Sequence, residues 1–163
     1  MKIRLAQHTD LKAINTIYNQ AIEARYCTAD LDPISMEERK QWFQSHADGK
    51  YPVYVGVVNE RVVAWFSFSA WRSGRRALEM SAEVSYYIHD KHFRKGYANQ
   101  LMNFAIEKAP ELGFKNLFAI LLEPNTASIK LLEKFDFEFW GRLPDIAIID
   151  GDVCSQRIYG RKV

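Results

Sequence analysis

The segment from 53 to 88 most constrains the fold, because it holds three strand-like stretches with no helical pattern between them. Residues 53–58 (VYVGVV) and 62–69 (VVAWFSFS) are separated by Asn59-Glu60, which turns the second stretch back on the first as an antiparallel hairpin. A basic link, WRSGRR at 71–76, leads to a further strand over 80–88. Within it Val84, Tyr86 and Ile88 alternate with Glu83, Ser85 and Tyr87, so the two sets face opposite sides of a sheet. A doubly wound parallel sheet needs a helix between successive strands and fits this block poorly. The block instead belongs in a mixed α/β sheet.

Helical patterns flank it. After a short opening strand at 2–5 (KIRL), Asp10 starts a helix with Leu11, Ile14, Ile17, Tyr18 and Ala21 along one stripe, its carboxylate near the positive helix end. Residues 27–34, with Pro33, read as a loop. Ser35 and Glu38 form a capping box for a second helix, with Trp42 and Phe43 on its apolar side and Asp48-Gly49 at its end. A third helix spans 96–109, buries Ala98, Leu101, Met102, Ala105 and Ile106, and is closed by Pro110 and Gly113. An apolar strand at 117–122 precedes a helix over 125–134 with Asn125 as its N-cap. Final strands at 137–140 and 154–160 surround a connection containing Pro144.

With 163 residues, 48% of them hydrophobic, the chain suits one domain over 1–163 rather than a disordered segment. Its formal net charge of +2 gives no broadly basic surface, so a nucleic-acid partner is not expected. No apolar run approaches the ~18–20 residues of a membrane span, and the first ten residues lack a signal-peptide core. Cys27 and Cys154 are far apart with no CxxC, which suits free thiols, and a cytoplasmic location is expected. His8, His46, His89 and His92 make no convincing ligand set, so no metal is expected.

The most informative local run is His92-Phe93-Arg94-Lys95-Gly96-Tyr97-Ala98, between a strand and a helix. Gly96 permits close backbone approach, the helix start offers free amides, and Arg94 and Lys95 add positive charge. By mechanism this is a phosphate or pyrophosphate cradle, or simply a capped basic turn. It has neither the GxxxxGK run followed by Ser or Thr nor the GxGxxG fingerprint.

The run resembles the cofactor signature of the GCN5-related N-acetyltransferase (GNAT) superfamily: Gln or Arg, two residues, Gly, one residue, Gly or Ala. Here Phe93 stands at the first position and the rest follows. The stretch Asn125 to Lys134 followed by Phe137 is also similar to the family, with Leu132 where an acid tyrosine is common and Asp136 where glycine is frequent. Ile17-Tyr18-Asn19-Gln20-Ala21-Ile22, Trp71-Arg72 and Glu83-Val84-Ser85-Tyr86-Tyr87-Ile88 resemble the phosphinothricin and methionine-sulfoximine acetyltransferase branch. The segment IAIIDGDV resembles its return hairpin, while Cys154, Ser155 and Gln156 depart from the branch pattern.

The resemblance implies a single N-acetyltransferase domain with a mixed, mostly antiparallel sheet flanked by helices and splayed between its central strands. It implies acetyl-CoA as cofactor, contacted by Tyr86, Tyr87, Ile88, Phe93, Arg94, Lys95, Gly96, Tyr97, Ala98, Asn99, Asn125 and Lys134. It places Glu83 beside the acetyl group, where a carboxylate can take the proton that an ammonium must lose before it attacks a thioester. Arg72, Ser73, Gly74 and Arg75, with Glu83, Val84 and Ser85, would face the acceptor, and arginine suits a substrate carboxylate. Leu132 cannot donate a proton, which leaves Tyr159 or a water as the acid. The expected activity is acetylation of a small amine or amino-acid-like substrate. The alternatives are a protein or polyamine acetyltransferase and a CoA-binding module without turnover. Likeness to the branch implies a homodimer, with the hairpin after Pro144 as the contact.

Overall fold

The computed structural model describes residues 1–46 and 49–163. Along the chain run β1 (Lys2–Leu5), α1 (Leu11–Glu23), α2 (Met36–Gln44), β2 (Val53–Val58), β3 (Arg61–Ala70), β4 (Ser81–Ile88), α3 (Tyr97–Glu111), β5 (Asn116–Leu122), α4 (Thr126–Lys134), β6 (Glu138–Ile149) and β7 (Asp152–Lys162). All seven strands lie in one sheet, ordered β1-β2-β3-β4-β5-β7-β6. Every neighbouring pair is antiparallel except β4 and β5. This is the mixed α/β sheet that the three helix-free strands indicated, with the mostly antiparallel pairing that the family resemblance implied. No helix among the described residues is long and apolar enough to cross a membrane.

Local chemistry sets the element ends. The Glu38 amide donates to Ser35 Oγ at 3.2 Å while the Ser35 amide donates to Glu38 Oε2 at 2.8 Å, so each satisfies an otherwise orphan donor at the start of α2. Asp48, expected to help end that helix, lies outside the described residues. Asn59 and Glu60 both adopt left-handed φ (46° and 62°), as the tight turn of the β2–β3 hairpin demands. Asp10 does more than sit at a helix start: it closes a short 3-10 turn and accepts two bonds from Arg4, at 2.6 and 2.9 Å, tying α1 to β1.

Two expectations at the C-terminal half need correction. α3 continues through Pro110 to Glu111, because a proline in the last turn removes a single donor and the chain then closes on Gly113 at φ 81°. Pro144 lies inside the long strand β6 and not in a connection. It falls at a register irregularity between Leu143 and Ala147 on an edge strand, where a missing N–H leaves no ladder bond unmade. The β6–β7 turn is Asp150-Gly151, with φ of 51° and 92°.

The alternation in β4 sorts the core. Val84, Tyr86 and Ile88 pack with Phe66 and Phe68 of β3 against Leu101, Met102 and Ala105 of α3 and Ile129 and Leu132 of α4. Trp65 and Tyr87 face the other side, against Leu11, Ile14 and Ile17 of α1 and Trp42 and Phe43 of α2. Between these two layers the sheet splits. β4 and β5 pair only at Ser81↔Asn116, Ala82↔Leu117 and Glu83↔Phe118, and beyond Glu83 they diverge.

Candidate active site

The divergence opens a narrow cleft of about 40 Å³ bordered by Val84, Ser85, Tyr86 and Tyr87 on one strand and Ala119, Ile120 and Leu121 on the other, with Asn125 and Ser128 of α4 behind it. Main-chain groups of a strand that has lost its neighbour are available to a ligand that takes the missing strand's place. Asn125 is held there by its capping bond, Oδ1 accepting from the Ser128 amide at 3.2 Å. Tyr86 contributes a more pointed observation. Its hydroxyl is buried and makes no hydrogen bond of good geometry among the described residues, with Ser128 the polar side chain beside it. Burial pushes the phenol up to about 12, so it stays a neutral donor. A buried donor without an acceptor fits a cleft made to be filled by a polar chain.

The basic run lies at the start of α3. A 3-10 turn, Asp90–His92, intervenes between β4 and the loop that the sequence joined directly. Arg94 (φ 60°) and Gly96 (φ 78°) are both left-handed, and Gly96 is the N-cap. The first helical amides, at 97, 98 and 99, have no acceptor within the helix. A β-carbon built on Gly96 would meet no protein atom within 4 Å, so it would project into open space at the helix mouth. These features fit a diphosphate. Phe93, Arg94 and Lys95 are exposed, and Lys95 Nζ is turned back onto the Lys91 carbonyl at 3.0 Å. Lys134 and Asn99 meet each other, Nζ to Oδ1 at 2.6 Å, and so link the end of α4 to the start of α3.

Glu83 occupies the last paired rung before the split. It is partly buried, burial raises its carboxyl above the ordinary range, and it makes no hydrogen bond or ion pair with the described residues. Pairing with Arg72, Arg75 or Arg76, the bland alternative for this carboxylate, is absent among the described residues. Across β3 its partner is Ser69, followed by Ser85 opposite Ser67 and Tyr87 opposite Trp65. Directly opposed residues share a face, so this row lies on the α1–α2 side. There a cavity of about 260 Å³ is bordered by Ser67, Ser69, Ser85, Trp65 and Tyr87 from the sheet and by Tyr18, Arg39 and Trp42 from the helices. Ser85 and Tyr87 border both cavity and cleft, which therefore meet at β4.

The loop carrying Arg72, Ser73, Gly74 and Arg75 leaves β3 just beyond the Ser69–Glu83 rung and is exposed. Trp71 anchors it by stacking on Phe118 at 5.0 Å, next to Glu83. Neither Arg72 nor Arg75 borders the cavity. Val84 is buried on the α3–α4 face and borders the cleft, not the acceptor cavity expected for it, because β4 alternates there. Leu132 is fully buried in the core. Tyr159, one of the two acids left open by the sequence, borders neither space: it is 3% exposed and its hydroxyl donates to Glu133 at 3.2 Å. Sequence reasoning missed Tyr18, Arg39, Trp42, Ser67 and Ser69. A signal existed, since Arg39 stands at i−3 and i−4 to Trp42 and Phe43, a charge on an apolar stripe.

A sheet split in this way, with a basic helix start beside it and a cavity on the opposite face, suits an elongated, phosphate-bearing ligand that meets a second molecule at β4. Residues 13–137 match the model of the acetyltransferase (GNAT) family. The chain is 41% identical to YwnH of Bacillus subtilis (strain 168), over all of this chain and 99% of that one. It is 30% identical to the L-amino acid N-acyltransferase MnaT of Escherichia coli (strain K12), over 90% of this chain and 84% of that one. Among solved structures, an N-acetyltransferase from Staphylococcus aureus Mu50 superposes with a TM-score of 0.94 at 30% identity, covering 99% of this chain and 97% of the other. yncA from Salmonella typhimurium, solved with its cofactor acetyl-CoA, gives 0.92 at 27%, covering 99% and 92%. The chain belongs to the GNAT acetyltransferase family. It is an acetyl-CoA-dependent N-acetyltransferase.

Proposed function

We propose that the chain acetylates the amino group of a small amino-acid-like acceptor, of the phosphinothricin or methionine-sulfoximine type, with Glu83 as general base. The observation that carries this reading is the position of Glu83: a desolvated carboxylate with no ion pair among the described residues, on the last paired rung before the split and one same-face step from Ser85, where cleft and cavity meet. A desolvated carboxylate holds a proton more readily than an exposed one, which suits it to accept one from an ammonium. Acetyl-CoA supplies an electrophilic acetyl thioester. The amides at the start of α3 and the exposed Arg94 would hold its diphosphate, and Asn125, Tyr86 and the free edge of β4 its pantetheine arm. Backbone N–H groups on that edge can face the carbonyl oxygen as charge develops on it. With Leu132 in the core and Tyr159 committed to Glu133, no side-chain acid is assigned.

Relatives named for this chemistry support the acceptor class. One is the L-methionine sulfoximine/L-methionine sulfone acetyltransferase of Salmonella typhimurium, 29% identical over 91% of this chain and 86% of that one. The exposed Arg72 and Arg75 beside the Glu83 rung would repel a polyamine and attract a carboxylate. A thiol-release assay with acetyl-CoA tests the reading against methionine sulfoximine, phosphinothricin, common amino acids, polyamines and a lysine-bearing peptide. Turnover of the amino-acid analogues ahead of the others is expected. Preference for a polyamine or peptide would overturn it.

A further inference from the structure

Arg39 is a cation in a place where a cation needs a reason. It is 4% exposed, yet forms no ion pair with any described residue. Its Nε donates to Asn15 Oδ1 at 3.2 Å, and its guanidinium carbon sits 4.6 Å from the ring centres of both Tyr18 and Trp42. The two carboxylates bordering the same cavity are engaged elsewhere. Asp30 accepts from the Tyr18 hydroxyl at 2.5 Å, and Glu38 accepts from Ser35. Desolvation lowers the Arg39 pKa, though a guanidinium remains charged at any physiological pH. A further donor belongs to the same space: Trp65, 1% exposed, borders the cavity, and its indole Nε1–H is buried with no partner among the described residues. A buried guanidinium with no carboxylate partner and a buried indole N–H with no acceptor among the described residues, both at the border of one cavity, are costly unless a ligand compensates them.

We infer that Arg39 and the Trp65 indole form a subsite for the far end of an elongated amino-acid acceptor, one whose side chain ends in an anionic or strongly hydrogen-bond-accepting group. The inference rests on the amino-acid reading above and adds a specificity-determining position to it. Register supplies the length argument. Trp65 pairs with Tyr87, which lies two same-face steps along β4 from Glu83, or roughly 13 Å between backbone positions. In an α-amino acid the amine and its own carboxylate share one carbon, so a molecule with its amine at Glu83 cannot place that carboxylate on Arg39. The opposite end of a glutamate-sized side chain can reach inward. Ser67, Ser69 and Ser85 line the way with hydroxyls, which suit a polar chain better than an alkyl one.

The test compares two acceptors of equal chain length, methionine sulfone and methionine, which differ only in the oxygens on sulfur. The wild type should favour the sulfone in kcat/KM by about tenfold or more, the scale of a hydrogen bond to a charged group. Arg39→Gln should shrink that ratio toward one through the KM of the sulfone, and Arg39→Lys, which keeps charge but loses the planar fork, should fall between. A wild type with no preference overturns the inference. So does a folded Arg39→Gln that slows both acceptors equally, which marks a purely structural arginine. If Arg39→Gln does not fold, the wild-type ratio and Arg39→Lys still decide. If no amino acid is turned over, the amino-acid reading fails, and calorimetric titration of methionine sulfone into the protein with CoA judges the subsite separately. Binding lost in Arg39→Lys supports it, and no binding to wild type overturns it.

Discussion

Two side chains with opposite burdens define the centre of the molecule. Glu83 is a carboxylate that burial makes reluctant to ionise, so it costs stability and supplies basicity. Glu83→Gln should lower turnover by roughly 10²-fold or more, the usual weight of a general base, with little change in acetyl-CoA affinity. The sign of its pH dependence follows from the raised pKa. The wild-type rate should fall as pH drops through a midpoint above the ordinary 4.5, and the variant should lack that limb. Ionised Glu83 is disfavoured in the fold, so its cost appears as pH rises past its ordinary value, and Glu83→Gln should melt higher than wild type at neutral pH. Turnover profiles and melting curves check both, and a fully active Glu83→Gln would remove the base. Tyr86 carries the converse burden, a buried hydroxyl with no acceptor. Tyr86→Phe should raise the melting temperature of the ligand-free protein and weaken acetyl-CoA binding about 3- to 10-fold, the worth of one net hydrogen bond. Calorimetry that finds affinity unchanged would show that the hydroxyl meets no part of the cofactor.

At the level of elements, the start of α3 is the sharpest local design. Gly96 holds a left-handed φ as N-cap and leaves open space where a β-carbon would stand. Gly96→Ala should weaken acetyl-CoA binding, and Gly96→Glu more strongly, because its carboxylate opposes the diphosphate charge. Unchanged affinity in a folded Gly96→Glu protein would move the binding site elsewhere. The Ser35–Glu38 capping box, the strand faces and the Asn125 cap were legible in the sequence because each rests on neighbours a few residues apart. The length of β6 was not, since Pro144 normally argues against a strand and only the edge position tolerates it. Glu83 was singled out through likeness to the branch, while its face of β4 followed from the strand alternation. Arg39 was not, because its meaning depends on the distant Trp65 and Ser67, which only the β3–β4 register and the seat of α2 bring together.

For the whole molecule, the C-terminal hairpin carries both an acid-sensitive ion-pair cluster and exposed apolar side chains. Glu123 is held by Arg142 of β6 and Arg157 of β7, which depress its carboxyl to about 2. Its contribution is complete above its ordinary value near 4.5 and fades as pH falls toward 2, so wild type should lose stability across that window and Glu123→Gln should show a flatter profile. Melting curves between those limits check it. The same hairpin exposes Ile146 and Ile148 on the edge strand β6 and Val153 opposite Ile148 on β7, an apolar patch at the sheet edge. We expect a dimer mass by light scattering at micromolar protein, with Ile146→Lys and Ile148→Glu together returning a monomer. A monomeric wild type would refute it. The alternation in β4 has a consequence for descent. Positions 83, 85 and 87 face the α1–α2 side, while 84, 86 and 88 pack on the α3–α4 side. Under the roles proposed above, a lineage could trade one acceptor for another at position 83 while 84, 86 and 88 hold the helix-side packing, whereas 85 and 87, which border both spaces, answer to donor and acceptor alike.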